Sequence, residues 1–119
     1  MQASHASEPE VAMAVAGDRR QALERCRTLL AREGFTVSLV VQAPRRRDRP
    51  PELIASSGPR AIRVFVLGED EVNAPETRSR IRSALKEGET RVYVRWPLRW
   101  RVLSNLERWR LRGAAVAGW

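Results

Sequence analysis

Three groups of residues in this chain have the types and spacing to do chemistry. Glu52 heads the apolar run Leu53-Ile54-Ala55, the one carboxylate at the start of that stretch. An acid so placed either ligates a metal ion or sits wet at a strand end. Arg45, Arg46, Arg47 and Arg49 crowd around Asp48 in a proline-flanked segment. Like charges at that density repel unless an anion sits among them, so the segment suits phosphate contact; the other reading is a solubilising loop. Trp96-Pro97-Leu98-Arg99-Trp100-Arg101, preceded by Arg95, interleaves indole and guanidinium groups. That mix stacks on bases while neutralising phosphates, and it equally suits the core and rim of a small domain.

Other chemistries are disfavoured by what the chain lacks. Cys26 is the only cysteine and His5 the only histidine. An internal disulfide and a multi-cysteine zinc site are therefore excluded, and Ser/His/Asp, Cys/His and His-based metal sites are disfavoured. Cys26 falls on the apolar side of a predicted helix and reads as a core thiol. No Gly-x-Gly-x-x-Gly or P-loop pattern occurs, so no organic cofactor is expected. No apolar run is long enough to span a bilayer and no signal-peptide pattern is present, so a cytoplasmic protein without membrane contact is expected. The formal charge is +8 and is carried by arginine, with Lys86 the only lysine. It is unevenly spread: acids outnumber arginines between Glu52 and Glu76, while Arg95, Arg99, Arg101, Arg108, Arg110 and Arg112 face only Glu107 near the end. Such separation suits a polyanion, and DNA is the expected partner.

The elements that must position these groups follow from periodicity. Residues 1–16 lack a clear period and read as a flexible leader, and residues 17–113 as one α/β domain. Asp18 suits an N-cap, followed by a helical stripe of Ala22, Leu23, Cys26, Leu29 and Leu30 that Gly34 stops. Phe35 to Gln42 reads as a strand, and the runs on either side of Ser56-Ser57-Gly58-Pro59-Arg60 as a hairpin. Glu69, Asp70 and Glu71 make an acidic, solvent-facing connection. Asn73 then caps a helix to Glu87 with Ile81, Ala84 and Leu85 inward and Arg78 and Arg82 outward. Thr90 to Trp96 alternates as a strand with Val92, Val94 and Trp96 on one face. A last helix covers Leu98 to Arg112, and residues 114–119 form a small apolar tail. The order α-β-β-β-α-β-α predicts a mixed sheet of about four strands flanked by helices.

The piece Glu52-Leu53-Ile54-Ala55, after a strand opening Gly34-Phe35-Thr36-Val37 and before a second apolar strand, resembles the core of the PD-(D/E)xK nuclease superfamily, the restriction-endonuclease-like fold. The nearest likeness is to its Holliday-junction-resolvase-like and YraN-like branch, whose core reads Asp-Leu-Ile-Ala, a short turn, then Phe-Val-Glu-Val-Lys. As an order of elements it extends from residue 18 to about residue 96. In that family the Asp and Glu bind a divalent metal, and the Lys orients the attacking water. Superimposed without gaps, Glu52 falls on the Asp, Phe65 on the Glu and Leu67 on the Lys. A phenyl ring and an isobutyl group offer no oxygen to a hard cation. The resemblance thus implies a degenerate nuclease-like domain that binds DNA or a DNA-processing complex through Arg45, Arg46, Arg47, Arg49 and the Arg95–Arg101 corner. No metal is expected on that reading. One alternative is an active magnesium- or manganese-dependent endonuclease with Glu24 and Lys86 as displaced catalytic residues. Another is a protein–protein adaptor or homo-oligomer docking through the leader, the last helix and Trp119.

Overall fold

A computed structural model describes the backbone of residues 8–42 and 49–119, and the side chains of residues 18–42 and 49–119. Helix α1 (Glu8–Arg32) leads into strands β1 (Thr36–Leu39), β2 (Leu53–Ser57) and β3 (Arg60–Val66). Helix α2 (Pro75–Glu87), strand β4 (Thr90–Val94), a 3₁₀ turn (Trp96–Leu98), helix α3 (Arg99–Arg108) and strand β5 (Ala114–Gly118) follow. The five strands lie in sequence order; β1–β2–β3 pair antiparallel, and β3–β4–β5 pair parallel through the crossovers of α2 and α3. Gly58 supplies the positive φ of 58° that the two-residue β2–β3 connection requires, and Pro59 fixes the next corner.

The alternation along β3 splits the interior into two layers. Ile62, Val64 and Val66 join Leu53, Ala55 and Tyr93 on the face covered by Cys26 and Leu30 of α1. Phe65 and Leu67 point the other way, with Val92 and Val94, against Ile81 and Ala84 of α2 and Val102 and Leu106 of α3. Each Val, Leu, Ile or Phe side chain among them contributes about 1.5–3 kcal/mol when fully buried. The result is a mixed sheet with helices on both faces.

Several boundaries differ from the periodic reading. α1 runs through Asp18 without a break, so Asp18 lies inside the helix rather than capping it, and Gly17 beside it does not end the helix. Asn73 is not a cap; its Oδ1 accepts from Asn105 Nδ2 at 2.7 Å, and Ala74 stands at the N-cap of α2. β4 ends at Val94, so Trp96 leaves the sheet face of Val92 and Val94 and lies exposed in the 3₁₀ turn that Pro97 favours. α3 stops at Arg108, where Arg110 adopts a φ of 58° and Leu111 N–H closes on Leu106 O at 2.9 Å. The tail expected over residues 114–119 is instead a fifth strand, in register from Thr90↔Ala114 to Val94↔Gly118. Trp96 N–H donates to Trp119 O at 2.7 Å and Trp119 N–H to Val94 O at 3.2 Å, closing the end of that pairing. Among the described residues no helix is long and apolar enough to cross a membrane.

Candidate nucleic-acid interface and buried ion cluster

The register Leu53↔Val64 carries one step further to set Glu52 opposite Phe65, on the α2 side of the sheet. Glu52 is buried there, only 3 % exposed. Its Oε1 accepts the Val66 N–H at 2.8 Å, and its Oε2 accepts from Arg80 Nη2 and, at 3.3 Å, from Arg49 Nη2. Arg19 Nη2 lies 3.2 Å from the same oxygen but off hydrogen-bond alignment, which leaves that buried nitrogen without an acceptor among the described residues. Glu71 serves the same three arginines: Arg19 directly, Arg49 at 3.6 Å and Arg80 at 3.7 Å.

Three guanidinium groups therefore share two carboxylates. Arg80, the most deeply buried, is fixed by two further bonds, Nε to Arg49 O at 3.0 Å and Nη2 to Pro50 O at 2.9 Å, and lies over the Phe65 ring at 5.0 Å. Burial pushes the Glu71 carboxyl up, but the Gly68 N–H and the Arg19 and Arg49 guanidinium groups outweigh it and hold the carboxyl below its ordinary value. Burial, reinforced by the negative charge of Glu52, raises the Cys26 thiol to about 12.

Glu52 thus stands neither wet nor poised for a metal: both its oxygens are engaged by N–H donors. Phe65 and Leu67, the positions that the expected resemblance set on an acid and a lysine, are core residues packed under α2 and α3. Glu24 is exposed on α1 and pairs with Arg27 at 3.6 Å, while Lys86 is exposed in the last turn of α2. Among the described residues no group of three or more His, Cys, Asp or Glu side chains converges. These side chains do not fit a divalent cation, which needs several free oxygen donors.

Sequence reasoning missed Arg19, Glu71 and Arg80 as members of this cluster. Glu71, expected in solvent, turns inward to the Gly68 N–H at 2.9 Å, whereas Glu69 and Asp70 stay exposed. The signal for Arg80 was present in its place beside Thr77, Ile81 and Ala84 on the inward stripe of α2. A charge at such a position requires a buried partner.

The phosphate-contacting arginines expected from sequence have separate fates. Arg45, Arg46 and Arg47 lie outside the described residues. Arg49 turns in to Glu52 and Glu71 and belongs to the cluster. Arg95 and Arg101 are exposed, and Arg99 is half-buried with its guanidinium 4.6 Å from the Trp96 ring centroid and 4.9 Å from that of Trp100. Trp96 and Trp100 are themselves 55 % and 71 % exposed.

The ion pairs of the described residues divide the arginines into two populations. Arg19, Arg49 and Arg80 are matched by Glu52 and Glu71, and Arg60, Arg63 and Arg91 by Glu89, Glu87 and Glu33. Arg20, Arg25 and Arg32 of α1, Arg78 and Arg82 of α2, and Arg95, Arg99, Arg101, Arg108, Arg110 and Arg112 have no carboxylate within pairing distance among the described residues. The last six gather at the two ends of α3, whose ten residues span about 15 Å. Comparison with known proteins found no matching family model, curated protein or solved structure.

Proposed function

We propose that this chain is a nuclease-like domain that holds DNA, or joins a DNA-processing complex, without metal-dependent cutting. The observation that carries the reading is the run of six unpaired arginines before, on and after α3, accompanied in that stretch of sequence by the single acid Glu107 and set beside exposed Trp96 and Trp100. Unmatched guanidinium groups gathered around one helix attract phosphates and release their counterions. The restriction-endonuclease-like part of the proposal is supported by the order α-β-β-β-α-β and by a sheet that changes from antiparallel to parallel pairing at β3. Support for loss of cutting comes from Glu52, whose oxygens are occupied by Arg80, Arg49 and the Val66 N–H beside an apolar Phe65 and Leu67. In effect a guanidinium occupies the place where the resemblance puts a cation.

The test is an incubation of the full chain with labelled duplex, single-stranded and branched DNA at low salt, with magnesium or manganese present. Retarded but intact DNA on a gel, with retardation fading as salt rises, is the expected result. Absence of retardation on all three substrates defeats the binding half, and metal-dependent fragments abolished by Glu52→Ala defeat the other half.

A further inference from the structure

The Trp96–Trp100 corner is built as a stack with one open end. Trp96 packs on the backbone of β5: a Cβ at Gly118 would come within 2.8 Å of Trp96 Cε3, so only glycine lets the ring approach so closely. The hydrogen bond from Trp96 N–H to Trp119 O fixes the same residue from its backbone side. Arg99 follows, its guanidinium over both indole rings, and Trp100 comes last with most of its surface in water. Trp96 and Trp100 are the only aromatic side chains among the large exposed hydrophobic residues described. A rigid indole held against a delocalised cation, with no carboxylate to quench that cation among the described residues, is suited to take the face of a planar group that carries an anion nearby.

A nucleotide whose base is unpaired has both parts. In a duplex the base faces are covered by their neighbours and only phosphates remain within reach of this corner. We infer that Trp100, buttressed by Arg99 and Trp96, is a stacking platform for an unpaired base, so that the chain prefers single-stranded DNA or the open arms of a branched molecule over plain duplex. The inference rests on the DNA-binding reading above and adds the form of DNA that the corner selects. Arg95 and Arg101 supply the neighbouring positive charge, on either side of the stack in sequence and both exposed. An acidic peptide with an aromatic side chain is the competing occupant, and it predicts no dependence on base unpairing.

The experiment measures fluorescence anisotropy of a labelled oligothymidine and of a labelled duplex of equal length, titrated with the full chain at low salt. Wild type is expected to bind oligothymidine more tightly and to show quenched tryptophan emission on binding. Trp100→Ala is expected to weaken oligothymidine binding by about five- to hundredfold and duplex binding by less than about twofold, with Trp100→Phe recovering most of the loss. Trp100 is solvent-exposed, so a circular dichroism spectrum matching wild type is expected for both variants. If Trp100→Ala binds oligothymidine as wild type does, or if wild type binds duplex better than single strands, the platform is refuted while the DNA-binding reading survives. If wild type binds neither DNA, both fall together.

Discussion

Replacing Arg80 by Met probes the buried cluster most sharply. The variant keeps much of the side-chain volume under Phe65 but removes the guanidinium from Glu52, which is 3 % exposed. Breaking a buried ion pair from one side costs about 3–5 kcal/mol, because the remaining charge stays desolvated. Arg49 at 3.3 Å and Arg19 at 3.2 Å still face the Glu52 carboxylate, which places the cost near the lower end, about 3 kcal/mol. Loss of the bonds to Arg49 O and Pro50 O adds to it, at least where water does not replace them. For a domain of this size the expected fall in Tm is about 10 °C, with a urea midpoint lower by about 2 M. The double variant Arg80→Met, Glu52→Gln removes both charges while Gln retains an acceptor for the Val66 N–H, and more than half the loss should return. Urea and thermal unfolding of the wild type, both single variants and the double variant give the coupling directly. An Arg80→Met protein within about 0.5 kcal/mol of wild type, or additive single and double variants, would refute the claim that Arg80 neutralises Glu52.

Other consequences concern pH, thiol reactivity and the β5 contact. Glu71 is held below its ordinary value in the folded chain, so its stabilisation is full above the unfolded value and is lost as pH falls through the folded one. Unfolding free energy measured from neutral pH downward should begin to drop below about pH 4.5, with Glu71→Gln flattening that slope; an identical slope contradicts it. Cys26, buried and raised to about 12, should resist a disulfide reagent at pH 8 in native protein and react at once in denaturant. Rapid native labelling would show that α1 does not cover it. Gly118→Ala sets a methyl within 2.8 Å of Trp96 Cε3 and 3.0 Å of Val94 O and should cost about 1–3 kcal/mol, read as a lower Tm. An unchanged Tm would mean that Trp96 is not held against β5.

Much of the sheet was legible because its strands carry their own signals. The β2–β3 hairpin announces itself through two apolar runs around Gly58-Pro59, and β4 through the alternation of Val92 and Val94. β5 does not: Ala-Ala-Val-Ala-Gly has little strand preference, and it is extended because β4 offers an open edge and the Trp96–Trp119 hydrogen bond closes the far end. Trp96 misled for a related reason, since the chain left the sheet before Pro97, two residues earlier than the alternation implied. At the candidate site, the apolar fate of Phe65 and Leu67 could be read from residue type alone. The convergence of Arg19, Arg49 and Arg80 on Glu52 could not, because it joins elements up to 61 positions apart in sequence, Arg19 on α1 and Arg80 on α2. Single-sequence periodicity reports which way a residue points, and not which charge it meets.

The central claim is that the arginines left unpaired around α3 hold nucleic acid through its phosphates. Its most direct test is the salt dependence of DNA affinity for the wild type and for an Arg95→Ala, Arg99→Ala, Arg101→Ala variant. A log–log slope that loses roughly 0.7–0.9 for each arginine removed is the predicted result. A wild-type affinity indifferent to salt, or a slope unchanged by the three substitutions, would contradict it.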